Sequence, residues 1–246
     1  MDIFLQQLIN GLVLGSVYAL VALGYTMVYG ILELINFAHG EITMMGAMVA
    51  LSVIGALALA APGLPGVLVL ASGLVVAIPV CVALGLLIER VAYRPLRHAP
   101  RLAPLITAIG VSIILQNVAM LIWGKQYIPF PAILPQGRHT LYGASITDVQ
   151  IAILLLATGI MLLLILMVQK TRLGRAMRAT AQSRQVASLM GVDVNRVIAA
   201  TFAIGSALAA VAGVMVSAYY GLAHYYMGFL LGLKAFSAAV LGGIGN

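Results

Sequence analysis

Residues 33–41 place Glu33, Asn36, His39 and Glu41 within one short stretch, flanked on both sides by apolar runs. Two carboxylates, an amide and an imidazole are costly beside hydrocarbon unless they face water, protein or one another. Carboxylates and an imidazole at membrane depth can relay protons or ions or mark a solute path, which makes Glu33, Asn36, His39 and Glu41 candidate pathway residues. The stretch admits two structures. One is a short cytoplasmic turn, with Asn36 or Gly40 at a helix boundary. The other is a broken helix that re-enters the bilayer, with Asn36 and His39 facing a protein-lined cavity, because irregular backbone at depth is tolerated only against a cavity or protein. A fainter echo, Ala223-His224, comes after a later span that runs the opposite way; an inverted repeat would produce such a pair, and His224 joins the candidate pathway.

No other motif for chemistry is present. The chain has no G-x-x-x-x-G-K-[ST] loop, no H-E-x-x-H, no paired cysteines and no G-x-S-x-G. No catalytic group, metal site or cofactor is expected of this chain, and it does not read as an enzyme.

The elements that position these groups follow from composition. Apolar residues make up 63% of the 246 positions and charged residues 8%, against roughly 45 to 50% and 25% in soluble domains. The expected fold is therefore all-α and polytopic in a lipid bilayer, a single membrane domain over residues 1–246. A span needs about 20 apolar residues. Candidate spans are 5–29, 42–60, 67–88, 104–123, 149–168 and 197–218, followed by an unfinished run over 229–246. Cys81 lies inside an apolar run and reads as a small buried hydrophobe. The N-terminus lacks the cationic start of a signal peptide and reads as retained.

The net charge of +7 gathers mostly in two loops, so it orients the chain and implies no nucleic-acid partner. Residues 90–101 carry Arg90, Arg94, Arg97 and Arg101. Residues 170–196 carry Lys170, Arg172, Arg175, Arg178, Arg184 and Arg196 against Asp193 alone. Both loops are expected in the cytoplasm. Parity then puts the 125–148 loop and the N-terminus outside, with Trp123, Tyr127, Tyr142, Tyr219 and Tyr220 as an aromatic belt. Ser145 and Asp148 fit a capping box before the fifth span. Residues 173–190 read as one amphipathic helix, with Leu173, Met177, Ala181 and Val186 near one face and Gly191 as its stop.

Small residues recur every fourth position in the first span, at Gly11 and Gly15, and in the sixth, at Gly205, Ala209 and Gly213. Such stripes let helices approach closely, within the chain or across a dimer.

Three runs, YTMVYGILELINFAHGEITMMGA, IERVAYRPLRHAPRLAPLITAIGVSIILQN and GRAMRATAQSRQVASLMGVDVNRVIAATFAIG, cover much of the chain. Together they resemble the LivH-type permease of bacterial branched-chain amino acid ABC importers. The resemblance implies an inner-membrane subunit that passes leucine, isoleucine or valine from a periplasmic binding protein. It also implies a homologous second permease and two cytoplasmic ATPase subunits that use ATP. It casts the helix before Gly191 as the coupling helix, with Leu173, Arg175, Met177, Arg178, Gln182, Ala187 and Gly191 engaging the ATPase. The family pattern continues past Asn246, so the chain reads as C-terminally truncated. The alternative from another class is an ion-coupled carrier or channel, with Glu33, His39 and Glu41 as relays.

Overall fold

The computed structural model describes residues 2–97, 99–100, 102–133, 137–141 and 143–244. Arg101, Tyr142 and the end of the last apolar run at Asn246 lie outside them. Among the described residues, six helices are long and apolar enough to cross a bilayer. They are α1 (Asp2–Leu32), α2 (His39–Ala60), α3 (Gly66–Ile88), α4 (Leu102–Trp123), α5 (Asp148–Lys170) and α8 (Val194–Tyr220). The expected spans differ from these by a few residues at either end. α3 runs on into a π turn over Glu89–Tyr93, and the final run forms a shorter apolar helix, α9 (Met227–Leu241).

α2 and α8 form the centre. A Cβ on Gly213 would overlap the Thr43 carbonyl, and one on Gly46 would come 2.6 Å from the Ala210 Cα. Gly205 packs near Gly24, and Ala209 is fully buried. Small residues thus bring α8 into close contact with its neighbours. Gly11 and Gly15 behave differently: nothing lies within 4 Å of a Cβ at either. Their stripe makes no close helix packing among the described residues, because α1 turns it away from α8.

The loop between α4 and α5 contains short strands. β2 (Arg138–Leu141) and β3 (Ala144–Thr147) form an antiparallel hairpin, while β1 (Ile128–Pro129) pairs with β4 (Leu222–Ala223). The expected capping box moves by two positions. Thr147 caps α5 and Gln150 reaches back to it. Ser145 instead lies in β3, where its N–H donates to Gln6 Oε1 at 2.7 Å. The N-terminal part of α1 is thereby fastened to the hairpin.

The stretch expected as one helix over 173–190 is two: α6 (Arg172–Gln182) and α7 (Arg184–Leu189). The break falls at Ser183, extended at φ −161°, whose hydroxyl accepts the Val186 N–H. A serine offering its side chain to the backbone competes with helix continuation and starts a new one. Gly191 does end the pair, at φ +83°, a left-handed conformation that glycine adopts without cost.

Candidate functional site

α1 ends at Leu32, and Glu33 turns the chain with φ +54°. Residues 34–38 do not form a surface turn, since all are buried or half-buried. α2 begins at His39, whose ring lies against Gly24 and edge-on to Tyr25 at 4.9 Å. Gly24 precedes the end of α1 by roughly two turns, so the chain climbs back about 12 Å into the bundle before α2 starts. The backbone there is tolerated because protein surrounds it. Asn36 is buried, and its Oδ1 accepts from the Tyr93 hydroxyl at 3.0 Å.

Glu41, in the first turn of α2, is fully buried. Its Oε1 accepts from Ser112 Oγ at 3.0 Å and from Gln116 Nε2 at 2.7 Å, both on α4. Its Oε2 has no hydrogen-bond partner among the described residues and lies against Gly228, in the first turn of α9. The positive end of the α9 dipole faces that oxygen. Glycines make this meeting possible: a Cβ on Gly40 would overlap the Gly228 carbonyl and come 2.9 Å from the Gly232 Cα. Two helices that both start inside the bundle therefore touch at their N-termini, with a carboxylate beside the contact.

A cavity of about 300 Å³ adjoins this point, lined by Tyr25, Phe37, Ile109, Ser112, Phe229, Gly232 and Leu233. It is mostly apolar, with Ser112 and Tyr25 as its polar edge. Asn36 and His39, expected to face such a cavity, do not line it; they fill the core between α1, α2 and α8, where hydrogen bonding and ring packing hold them. Glu33 is exposed near the end of α1. His224 lies elsewhere, at the opposite end of the bundle, stacked on Tyr127 at 4.2 Å with Nε2 3.2 Å from the Lys125 carbonyl. The pathway set thus separates into a buried group around Glu41, an exposed Glu33 and a rim residue, His224. Ser112 and Gln116 were missed by sequence because they sit in an apolar span; their spacing of one helical turn was the available signal. Among the described residues no three His, Cys, Asp or Glu side chains gather as metal ligands.

The basic loops share one face. Arg97 donates to both Glu89 and Asn195, joining the segment after α3 to the start of α8. Arg184 donates to the Ile31 carbonyl at 3.2 Å and the Leu32 carbonyl at 2.8 Å. On α6 and α7, Arg175, Arg178 and Gln182 are exposed, whereas Met177 and Ala187 are buried and Leu173 packs on the same core. Ala181 and Val186, expected on the apolar face, are exposed as well. The amphipathic face turns inward onto the bundle, and the large apolar side chains left outside among the described residues are Val186, Leu189 and Met190.

A polytopic helical bundle with re-entrant helix starts and an intramembrane carboxylate beside a cavity is the architecture of a transport protein. The family pattern described as branched-chain amino acid transport system / permease component matches residues 7–246, and the chain belongs to that family. It is 49% identical over 247 residues to the high-affinity branched-chain amino acid transport system permease protein LivH of Escherichia coli (strain K12), covering 99% of this chain and 80% of that one. It is 48% identical to the corresponding permease protein BraD of Pseudomonas aeruginosa, with coverage of 99% and 80%. A probable branched-chain amino acid transport permease protein LivH of Methanocaldococcus jannaschii is 26% identical, with coverage of 99% and 76%. No solved structure matches the chain.

Proposed function

We propose that this permease subunit passes leucine, isoleucine and valine across the bacterial inner membrane, from a periplasmic binding protein to the cytoplasm. A homologous second permease completes the pore, and two cytoplasmic ATPase subunits hydrolyse the ATP. The N-terminus is periplasmic, and the face bearing the basic loops is cytoplasmic. The observation that carries this reading is the near-full-length match to permeases named for branched-chain amino acids. The site adds a physical reason. An aliphatic zwitterion needs an apolar passage with few polar groups, and the cavity beside Ser112 and Glu41 has that composition.

α6 and α7 form the coupling element. Met177 and Ala187 are buried against the bundle and Leu173 is half-buried on it, so these three hold the element from within. Arg178 is turned back to the Val168 carbonyl. Docking therefore falls to Arg175, Gln182 and the exposed Val186, Leu189 and Met190, with Gly191 setting the return of the chain. In reconstituted complexes, Gly191→Val is expected to retain binding-protein docking and lose substrate-stimulated ATP hydrolysis, because a β-branched residue at positive φ costs about 1 to 3 kcal/mol of strain. Unchanged stimulation and uptake would remove this loop from coupling. Uptake that survives ATP depletion and collapses with the proton gradient would replace the whole proposal with an ion-coupled carrier.

A further inference from the structure

A groove of about 460 Å³ runs between the ends of α1 and α5 and is closed at the basic face by α6. Leu23, Met27 and Ile31 of α1 and Leu164 and Ile165 of α5 supply its apolar walls, and Gly30 leaves it open. Its polar mouth is Arg178 and Gln169. One Arg178 N–H donates to the Val168 carbonyl, which fixes the guanidinium at the mouth; among the described residues its other donors are unused. Lys170, Arg172 and Arg175 are exposed nearby, and among the described residues none of these cations, nor Arg178, is ion-paired. An apolar slot ending in unpaired cations at a membrane surface matches a molecule with a long apolar tail and an anionic head. Basic pockets between spanning helices bind anionic lipid headgroups in this way.

We propose that the groove holds one acyl chain of an anionic phospholipid of the surrounding bilayer, its phosphate on Arg178. Charge selects this occupant: a zwitterionic lipid would fill the slot but leave the cations unneutralised. The inference does not depend on which solute the permease carries. Bound there, the lipid ties α6 to α1 and α5.

The test is native mass spectrometry of the protein released from bilayers containing equal phosphatidylglycerol and phosphatidylcholine. The wild type is expected to retain one phosphatidylglycerol. Gly30→Phe fills open space, since nothing lies within 4 Å of a Cβ there, and is expected to abolish retention, while Gly30→Ala keeps it. Arg178→Gln, an exposed change, is expected to lower retention about fivefold, the effect of one cation at an anionic surface. Equal retention of the two lipids by the wild type would overturn the proposal. So would full phosphatidylglycerol retention in Arg178→Gln, or in a Gly30→Phe variant that elutes as a folded species. Cross-linking of a cysteine at Gly30 to a partner subunit would likewise assign the groove to protein and overturn it.

Discussion

α8 and α5 are both spans, yet 67% of the apolar window of α8 is buried against 11% of that of α5. Hydropathy does not separate them in the expected direction; α5 is the more apolar, at 3.1 against 2.1. The difference lies in side-chain size. α8 carries Gly205, Ala209, Ala210 and Gly213 toward its neighbours, while α5 presents Leu155, Leu162, Leu163 and Leu166 outward. In a bilayer, hydrophobicity places a helix but does not draw it to another helix; close packing and polar contacts do. The buried carboxylate sits on α2, the helix packed closely on α8, while the one-sided α5 leads into the basic appendage of α6 and α7.

The contrast is broken most directly at its centre. Gly213→Leu forces a side chain into the Thr43 carbonyl, and a cost of about 3 kcal/mol or more is expected from such overpacking. Yield and monodispersity in mild detergent should collapse, whereas Gly15→Leu, with open space around it, should leave both near wild type. Equal loss in the two variants would mean that the open stripe on α1 packs as tightly as α8.

Glu41→Leu removes the acceptor of Ser112 and Gln116 and strands those polar groups inside the bundle, at about 1 to 3 kcal/mol. Leucine uptake should be lost. Glu41→Gln retains an acceptor and should fold as the wild type; if it also transports as the wild type, an ionisable group at this position has no role in the pathway.

The appendage should respond in assembly and not in folding. Leu189→Asp alters a side chain that is 86% exposed, so its own stability effect should stay within about 0.5 kcal/mol. Recovery of the ATPase in pull-down should nonetheless fall, by up to ~2 kcal/mol if Leu189 is an interface anchor. The smallest effect belongs to the outer end: Thr147→Ala removes the cap of α5 for about 1 kcal/mol, seen as a modest drop in thermal midpoint.

The spans were legible because each is an apolar run of hydrocarbon length, and composition alone carries that information. Depth was not. Residues 33–41 fit a cytoplasmic turn or a re-entrant break equally well in one dimension, and only the placement of His39 against Gly24 decides between them. Polar partners were hidden for a similar reason, since Ser112 and Gln116 stand 71 and 75 positions from Glu41. The break at Ser183 was invisible because apolar periodicity continues across it, while a local hydroxyl bond ends the helix. Gly11 and Gly15 show the converse: a spacing identical to that of α8, on a face where the described residues bring nothing near.

The two hydrogen bonds from Arg184 join two helices that are far apart in sequence. They fasten the short helix α7 to the last carbonyls of α1, immediately before the chain doubles back toward Asn36 and Glu41. Any displacement of α7 must either break both bonds or drag that final turn with it. Under the proposed coupling, a push applied at Leu189 would be delivered, through a single guanidinium acting as a crank pin, to the residues from which the re-entrant segment hangs.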